Sequence, residues 1–325
     1  MRIIVPVKQV PETNAVTMDE ATGTMIREGV EAIVNPLDLY AIEIAIRLRE
    51  AHGGEVVAVS MGPPKAVQAV KEAVAMGCDS GVLVSDKAFA GSDTWATSYV
   101  LAEAIRAIGR GTFASGVGES TGGKDAEAGD ALAVVDLPAG RQVQADAASG
   151  DRSQHDAKKA SVSRSETLGE YQLVICGERA TDGDTGQVGP GIAAWLDLPV
   201  ATYVSKVESV APGSCRCHRL VEEGYEVLDV ATPAVLTVVK EIADPRLPTL
   251  RGKQKARRLD VPTLGPDELD VKEEFLGLAG SPTRVVKIFR PKVARQCRKV
   301  VANDEAAIDR AADELVAFLR QKELI

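Results

Sequence analysis

A glycine-rich loop is the segment of this sequence best suited to bind an anion. It runs from Gly177 to Pro190, reads GERATDGDTGQVGP, and lies between a predicted strand and a predicted helix. Its glycines, Gly183, Gly186 and Gly189, let backbone N–H groups approach an anion closely, and the N-terminus of the following helix adds partial positive charge. The loop is therefore a candidate site for the phosphates of a nucleotide.

The same loop has a second interpretation, a glycine turn with aspartate helix caps. Thr185 and Gln187 can donate hydrogen bonds to phosphate oxygens, but the loop lacks the lysine of a Walker loop and does not read G-x-G-x-x-G. Asp182 and Asp184, with Asp93 elsewhere in the chain, could suggest a metal site, although helix capping explains them equally. From the residues alone both interpretations of the loop remain open, and no metal ligand is assigned.

Three other loops follow predicted strands and are expected at the same edge of the sheet. They contain Pro6-Val7, Ser60-Met61-Gly62 and Phe89-Ala90-Gly91-Ser92-Asp93-Thr94. The carboxyl ends of parallel strands converge on one crevice, where open α/β sheets bind their ligands. The sequence therefore predicts one ligand site, shared by these loops and the glycine-rich loop.

A basic segment, Arg246–Arg258, carries Leu247 and Leu250 among its charges. One interpretation is a solvated surface, and the other is a mobile loop that offers an apolar anchor ringed by charge to another protein. Nucleic acid is disfavoured because 38 basic residues against 47 acidic ones give a formal net charge of −9, and because the segment has no aromatic residue to stack on a base.

Hydrolytic chemistry and membrane insertion find little support. The histidines are His52, His155 and His218, all outside the glycine loops, no G-x-S-x-G elbow occurs, and no catalytic residue is assigned. We predict no signal peptide and no membrane span, because no run of about 18 apolar residues occurs. Five scattered cysteines indicate reduced thiols in a cytoplasm, and the spacing of Cys215 to His218 does not favour a zinc site.

Alternating strand and helix patterns predict the scaffold that positions these loops. Ile3–Val7, Val56–Val59 and Gly81–Val84 are apolar runs typical of buried strands, and each precedes a helical pattern. The first of these helices is predicted to take Asn35 as its N-cap. This order predicts an α/β fold, a doubly wound Rossmann-like parallel sheet with helices on both faces.

The second half of the chain departs from that alternation. Residues 110–170 are rich in small and polar residues and are predicted to form a mostly disordered insertion. The runs 201–210, 226–230 and 234–239 are predicted to form an antiparallel addition, because their connections are too short for crossovers. We therefore predict a nucleotide-binding α/β domain over residues 1–259, and a linker and C-terminal helical arm over residues 260–325.

Six motifs follow one another along the chain. They are VPVKQVP from Val5, NPLDLY from Asn35, AMGCD from Ala75, the glycine-rich loop, RLPTLRGK from Arg246, and GSPT from Gly280. In this order they resemble the electron-transfer flavoprotein β-subunit family, over the whole chain except about residues 110–170. The resemblance implies a heterodimer with an α subunit, on which the C-terminal arm would dock.

The resemblance also implies where a nucleotide lies. Its adenosine part would contact Pro6, Asn35 and Met61, and its phosphates would lie along Gly177–Val188. The full set of candidate cofactor-binding residues is Pro6, Asn35, Met61, Asp93, Thr94, Thr97, Gly177, Asp182, Gly183, Asp184, Thr185, Gly186, Gln187 and Val188. The family's partner-recognition loop matches Asp244–Lys255, and the candidate partner-binding residues are Leu247, Leu250, Arg251 and Lys253.

Two subfamilies differ in the nucleotide of this subunit. Conventional members hold AMP as a structural ligand, and electron-bifurcating members hold an FAD that takes a hydride from NADH. Asp182–Thr185, Val188–Pro190 and Phe89–Thr94 resemble the bifurcating pattern, and Thr94 and Thr97 could supply hydrogen bonds to an isoalloxazine ring. One electron would then go to ferredoxin or flavodoxin. The other would pass through the FAD of the α subunit to an acyl-CoA dehydrogenase or a quinone reductase.

Two alternatives to a bifurcating subunit remain. One is a conventional AMP-containing subunit that shuttles electrons from dehydrogenases. The other is a plain nucleotide-binding module, which would need neither the basic leucine-containing segment nor the C-terminal arm.

Overall fold

A computed structural model describes residues 1–12, 17–18, 25–26, 32–111, 141–142, 172–286 and 299–325. The chain divides into two compact units. The first comprises Met1–Glu20 and Thr24–Val285, and the second comprises Ala21–Gly23 and Val286–Ile325. The predicted insertion, residues 110–170, lies outside the described residues except at positions 110–111 and 141–142.

The first unit contains five of the helices in the described part of the chain. They are α1 (Asp38–His52), α2 (Val67–Met76), α3 (Thr94–Gly109), α4 (Val188–Leu196) and α5 (Leu250–Arg258). The strands are β1 (Arg2–Pro6), β2 (Gln9–Pro11), β3 (Thr17–Met18), β4 (Met25–Ile26), β5 (Ala32–Val34), β6 (Glu55–Met61), β7 (Ser80–Val84), β8 (Arg141–Gln142), β9 (Leu173–Gly177), β10 (Val200–Ala211), β11 (Ser214–Val221), β12 (Gly224–Ala231), β13 (Ala234–Val238) and β14 (Thr263–Leu264).

Ten of these strands form one sheet, in the order β14-β7-β6-β1-β9-β13-β10-β11-β12-β8. Every pair from β14 to β10 is parallel, whereas β11 runs antiparallel to both β10 and β12. From β1 the chain winds outward to β6 and β7, and it then returns to β9 on the other side of β1. The point between β1 and β9 is thus the topological switch point. The predicted doubly wound, mostly parallel sheet is confirmed.

Alternate residues of the central strands bury opposite faces of the sheet. Ile3 and Val5 pack in one apolar cluster with residues of α1 and α2, and Ile4 packs in a second cluster with residues of α3 and α4. All three side chains are fully buried. This two-sided burial explains why the strands read as continuous apolar runs.

One part of the predicted antiparallel addition is wrong. Ala234–Val238 is a central strand that runs parallel to both β9 and β10, and all five of its residues are buried. Helix α4 forms the crossover from β9 to β10. The hairpin of β11 and β12 then brings the chain back, so that β13 lies between β9 and β10 and runs parallel to both. A further strand of the antiparallel addition is Ser214–Val221, which contains Cys215–His218. The antiparallel addition itself is present as β11 and β12.

The structure places residues 260–285 in the first unit, whereas the sequence analysis assigned them to the linker and C-terminal arm. Leu264, Leu269 and Leu276 are buried in the cluster beneath α3 and α4. Phe275 packs edge-on against Trp95, with 5.2 Å between the ring centroids. These anchors are single apolar residues in a polar, proline-rich stretch, so they have no detectable period.

The second unit contains one long helix, α6 (Glu305–Gln321), as predicted for Ala306–Leu319. The Asp304 side chain caps it by accepting a hydrogen bond from the Ala307 N–H at 2.7 Å. Among the described residues, no helix is long and apolar enough to span a membrane.

Candidate functional site

A cavity of about 910 Å³ opens at the carboxyl ends of β1, β6, β7 and β9, next to the switch point. The four predicted loops line it together. Its volume is near the upper end of the range of roughly 300–1,000 Å³ that small-molecule sites occupy. The convergence expected from the parallel topology is therefore present in the fold.

The glycine-rich loop ends at the N-terminus of α4, where no side chain caps the helix. The first N–H groups of a helix have no intrahelical partner, and here a bound anion could accept their hydrogen bonds. Gly186 has a φ of 63°, a left-handed conformation that favours glycine. A Cβ at Gly189 would lie 2.5 Å from Thr237 Cγ2, so glycine is needed for α4 to pack on β13.

Asn35 holds the beginning of this loop in place. Its side-chain Nδ2 donates to the Arg179 carbonyl oxygen at 2.9 Å, and its Oδ1 accepts from the Thr181 N–H at 3.1 Å. The same Nδ2 donates to Asp38 Oδ1 at 2.8 Å. Asn35 is fully buried and lies before α1, which begins at Asp38 with Leu37 in the N-cap position. The predicted N-cap role of Asn35 is therefore wrong.

Asp38 and Lys8 extend this support. The Asp38 carboxylate accepts the Lys8 N–H at 2.7 Å, and the Lys8 Nζ binds Asp182 at 2.6 Å. Burial raises the pKa of Asp38 to about 7, although the hydrogen bonds from Lys8 and Asn35 oppose the rise. Both residues therefore help to fix the glycine-rich loop to the carboxyl end of β1.

The N-terminus of α3 forms another wall of the cavity. Asp93 caps this helix by accepting the N–H groups of Trp95 and Ala96, both at 3.0 Å. The Thr94 Oγ1 donates to Gln187 Oε1 at 2.7 Å, which joins this wall to the glycine-rich loop. Ser98 Oγ lies 3.2 Å from the Val188 carbonyl oxygen and makes a second connection.

The structure brings most of the candidate cofactor-binding residues to the cavity. The residues that line it are Pro6, Met61, Asp93, Thr94, Thr97, Gly177, Gly183, Thr185, Gly186, Gln187 and Val188. Asn35, Asp182 and Asp184 are outside the lining. Asn35 and Asp182 bind other parts of the protein, as described above, and Asp184 forms an ion pair with Arg179 at 3.1 Å.

Sequence reasoning missed several lining residues. Lys8, Lys87 and Arg179 are basic side chains of the lining, of which Lys8 and Arg179 pair with Asp182 and Asp184. Asp38 and Cys176 also line the cavity. The signals for Lys8 and Arg179 were their positions, each two residues after a strand, and their places in two of the six motifs. Within the described residues, no group of three or more His, Cys, Asp or Glu is placed to hold a metal ion.

The basic segment lies away from the cavity, and most of it is helical rather than a loop. Leu250–Arg258 forms α5, whose N-cap Thr249 accepts the Gly252 N–H at 3.0 Å. Leu247 and Leu250 are 86% and 82% exposed. Arg251 and Lys253 are exposed beside them. All four candidate partner-binding residues are thus exposed.

Fold and cavity together define a class, the doubly wound α/β proteins with a ligand cavity at the switch point. The sequence matches the family described as "Electron transfer flavoprotein domain" over residues 22–134 and 120–269. It is 37% identical over 316 residues to "Electron transfer flavoprotein subunit beta" of Thermoanaerobacterium thermosaccharolyticum, covering 97% of this chain and 98% of the relative. The chain belongs to the electron-transfer flavoprotein β-subunit family.

Two other relatives align with this chain over their full or nearly full length. "Caffeyl-CoA reductase-Etf complex subunit CarD" of Acetobacterium woodii is 34% identical over 326 residues, covering 100% of both chains. "Protein FixA" of Azorhizobium caulinodans is 33% identical over 329 residues, covering 100% of this chain and 96% of the relative.

Proposed function

We propose that this β subunit binds FAD in the cavity and, with an α subunit, passes electrons from NADH to two acceptors. The observation that carries the proposal is the extent of the cavity. It continues from the glycine-rich loop to Thr94 and Thr97, two side chains with hydroxyl groups that a mononucleotide held by its phosphate does not need. A dinucleotide has a second ring system that such a wall could position.

Each part of the cavity would have a separate role. Pro6 and Met61 would contact the adenosine. The uncapped N-terminus of α4, with Gly186 and Gln187 before it, would bind the phosphates. Thr94 would orient the flavin ring, because a hydrogen bond to Gln187 already holds its hydroxyl group in place.

A flavin bound here would supply hydride acceptance from NADH and release of single electrons. The chain's own residues would bind it, orient it and set its surroundings. No acid–base side chain is required. The two acceptors would be ferredoxin or flavodoxin on one side and, through the α-subunit FAD, an acyl-CoA dehydrogenase or a quinone reductase on the other.

The exposed Leu247 and Leu250 support docking of an acceptor protein such as a dehydrogenase or a reductase. Two exposed leucines, with the exposed Arg251 and Lys253 next to them in the sequence, suit a partner with an apolar pocket and an acidic rim. The A. woodii relative's name, which assigns it to a reductase complex, supports the same kind of partner for this chain.

The phosphate-binding role can be tested with one substitution and a matched control. Gly186→Ala forces a Cβ onto a residue with a φ of 63°, and we expect it to weaken FAD and AMP about tenfold in calorimetric titrations of the full-length chain. Gly213→Ala imposes similar strain at a φ of 85° in the turn between β10 and β11, and it should leave both affinities unchanged. Equal binding by the two variants would contradict the assignment of the loop.

A further inference from the structure

A short segment near the end of the first unit is fastened to the cavity wall. The Leu278 N–H donates to the Ala90 carbonyl oxygen at 3.1 Å, and Ser281 Oγ accepts the Asp93 N–H at 2.8 Å. Ser281 is buried, and its hydroxyl also donates to the Gly277 carbonyl oxygen at 2.6 Å. Ala90 and Asp93 both line the cavity. Residues 277–283 therefore support the wall from behind.

Asp93 is the centre of this attachment, and both of its carboxylate oxygens are engaged. Oδ1 accepts the two N–H groups of the α3 cap, whereas Oδ2 accepts the Thr283 N–H at 2.9 Å and the Thr283 Oγ1 at 2.7 Å. Partial burial would raise the pKa of Asp93, but the hydrogen bonds, chiefly from Ala96 and Thr283, outweigh it and lower the pKa. Asp93 thus has no free oxygen with which to bind a cofactor directly.

The contacts continue from Asp93 into the cavity. The next residue, Thr94, donates its hydroxyl to Gln187, and Thr97 lies one turn further along α3. The position of Thr94 and Thr97 therefore depends on the cap that Asp93 makes, and Thr283 holds that cap from the other side.

We infer that Asp93 and Thr283 are positioning residues, which hold Thr94 and Thr97 at the flavin end of the cavity. This inference rests on the proposed function, because it assumes that the flavin ring of a bound FAD lies against Thr94 and Thr97. It assigns a role in the site to residues 277–283, which lie beyond the predicted nucleotide-binding domain.

The test is a titration of the full-length chain with FAD and with AMP. Thr283→Val removes the hydroxyl donor but keeps the side-chain shape, and Thr283 is exposed, so the variant should fold. We expect its Kd for FAD to rise about tenfold, since a weakened Asp93 cap would no longer hold Thr94 and Thr97 in place, and its Kd for AMP to change by less than about twofold. Thr283→Ser, which keeps the donor, should bind FAD like the native chain.

A matched control is Thr263→Val, which makes the same change at an exposed threonine of the edge strand β14 and should alter neither affinity. An unchanged FAD affinity in Thr283→Val, or equal weakening of FAD and AMP, would overturn the inference. A native chain that binds AMP but not FAD would instead overturn the proposed function, and the inference with it.

Discussion

At the scale of single residues, the support of the glycine-rich loop was harder to predict than the loop itself. Glycines after a strand are a local pattern, so the loop was recognisable. Asn35 lies more than 140 positions from the Arg179 carbonyl that it binds. An Asn before a helix is normally a cap, and no local pattern distinguishes that use from a long-range bridge. No local pattern marks the long-range contacts of Asp38 and Lys8 either.

The buried Asp38 carboxyl predicts a pH dependence of stability. Its pKa of about 7 lies above the ordinary value of 3.8, so the folded chain keeps a proton that the unfolded chain has lost between about pH 4 and pH 7. The contribution of Asp38 to the free energy of unfolding is therefore greatest below pH 4 and falls as pH rises to 7, by at most about 1.4 kcal/mol per pH unit.

Asp38→Asn should remove this dependence. Urea unfolding of the full-length chain at several pH values should show the native chain losing stability relative to the variant between pH 4 and pH 7, and no further loss above that range. Asp184→Asn is the control, because Asp184 is exposed and asparagine tolerates its φ of 52°. Parallel curves for the native chain and Asp38→Asn would show that burial does not perturb this carboxyl.

At the scale of elements, each wrong assignment has a nonlocal cause. The strand Ala234–Val238 reads like any short apolar run, and only its pairing with β9 and β10 makes it parallel. The basic segment lacks an apolar period because α5 buries one side chain only, that of Ala256. The helices and strands with strong periods, by contrast, were predictable to within a few residues.

In the segment before α5, Arg246 forms ion pairs with the buried Glu43 and with the half-exposed Glu50. Arg246 binds Glu43 Oε2 through its Nε at 2.8 Å and its backbone N–H at 3.1 Å, and it binds Glu50 Oε1 through Nη1 at 2.6 Å. The Glu43 side chain is only 2% exposed. Burial would raise the pKa of Glu43, but the hydrogen bonds from Arg246 and Arg47 outweigh it and lower the pKa.

Arg246→Lys should therefore destabilise the chain by about 1–3 kcal/mol, because lysine cannot reproduce the several hydrogen bonds to buried Glu43. Amide hydrogen exchange at Gly252 and Lys253, whose N–H groups donate to Thr249 at the start of α5, should become faster at the same time. Glu50→Gln removes a partner that is 48% exposed and should cost less than about 0.5 kcal/mol. If denaturant unfolding gave the two variants equal losses in the free energy of unfolding, burial of Glu43 would not make its ion pair with Arg246 more stabilising than the exposed one.

At the scale of the whole molecule, the fold class and the position of the cavity could be predicted from the sequence, because both follow from strand order. It did not carry the extent of the first unit. The residues that add 260–285 to that unit, among them Leu264 and Leu276, are isolated contacts without a pattern. The inferred role of Thr283 depends on this extension, so it could be recognised only once the fold was known.

The central claim is that the cavity of this subunit holds FAD and takes electrons from NADH. The most direct measurement is to purify the chain with its α subunit, release the nucleotides by denaturation, count them per heterodimer, and follow flavin absorbance on addition of NADH. Our account predicts two FAD per heterodimer, both bleached by NADH. One FAD with one AMP, and no reaction with NADH, would contradict it and identify a conventional electron-transfer subunit.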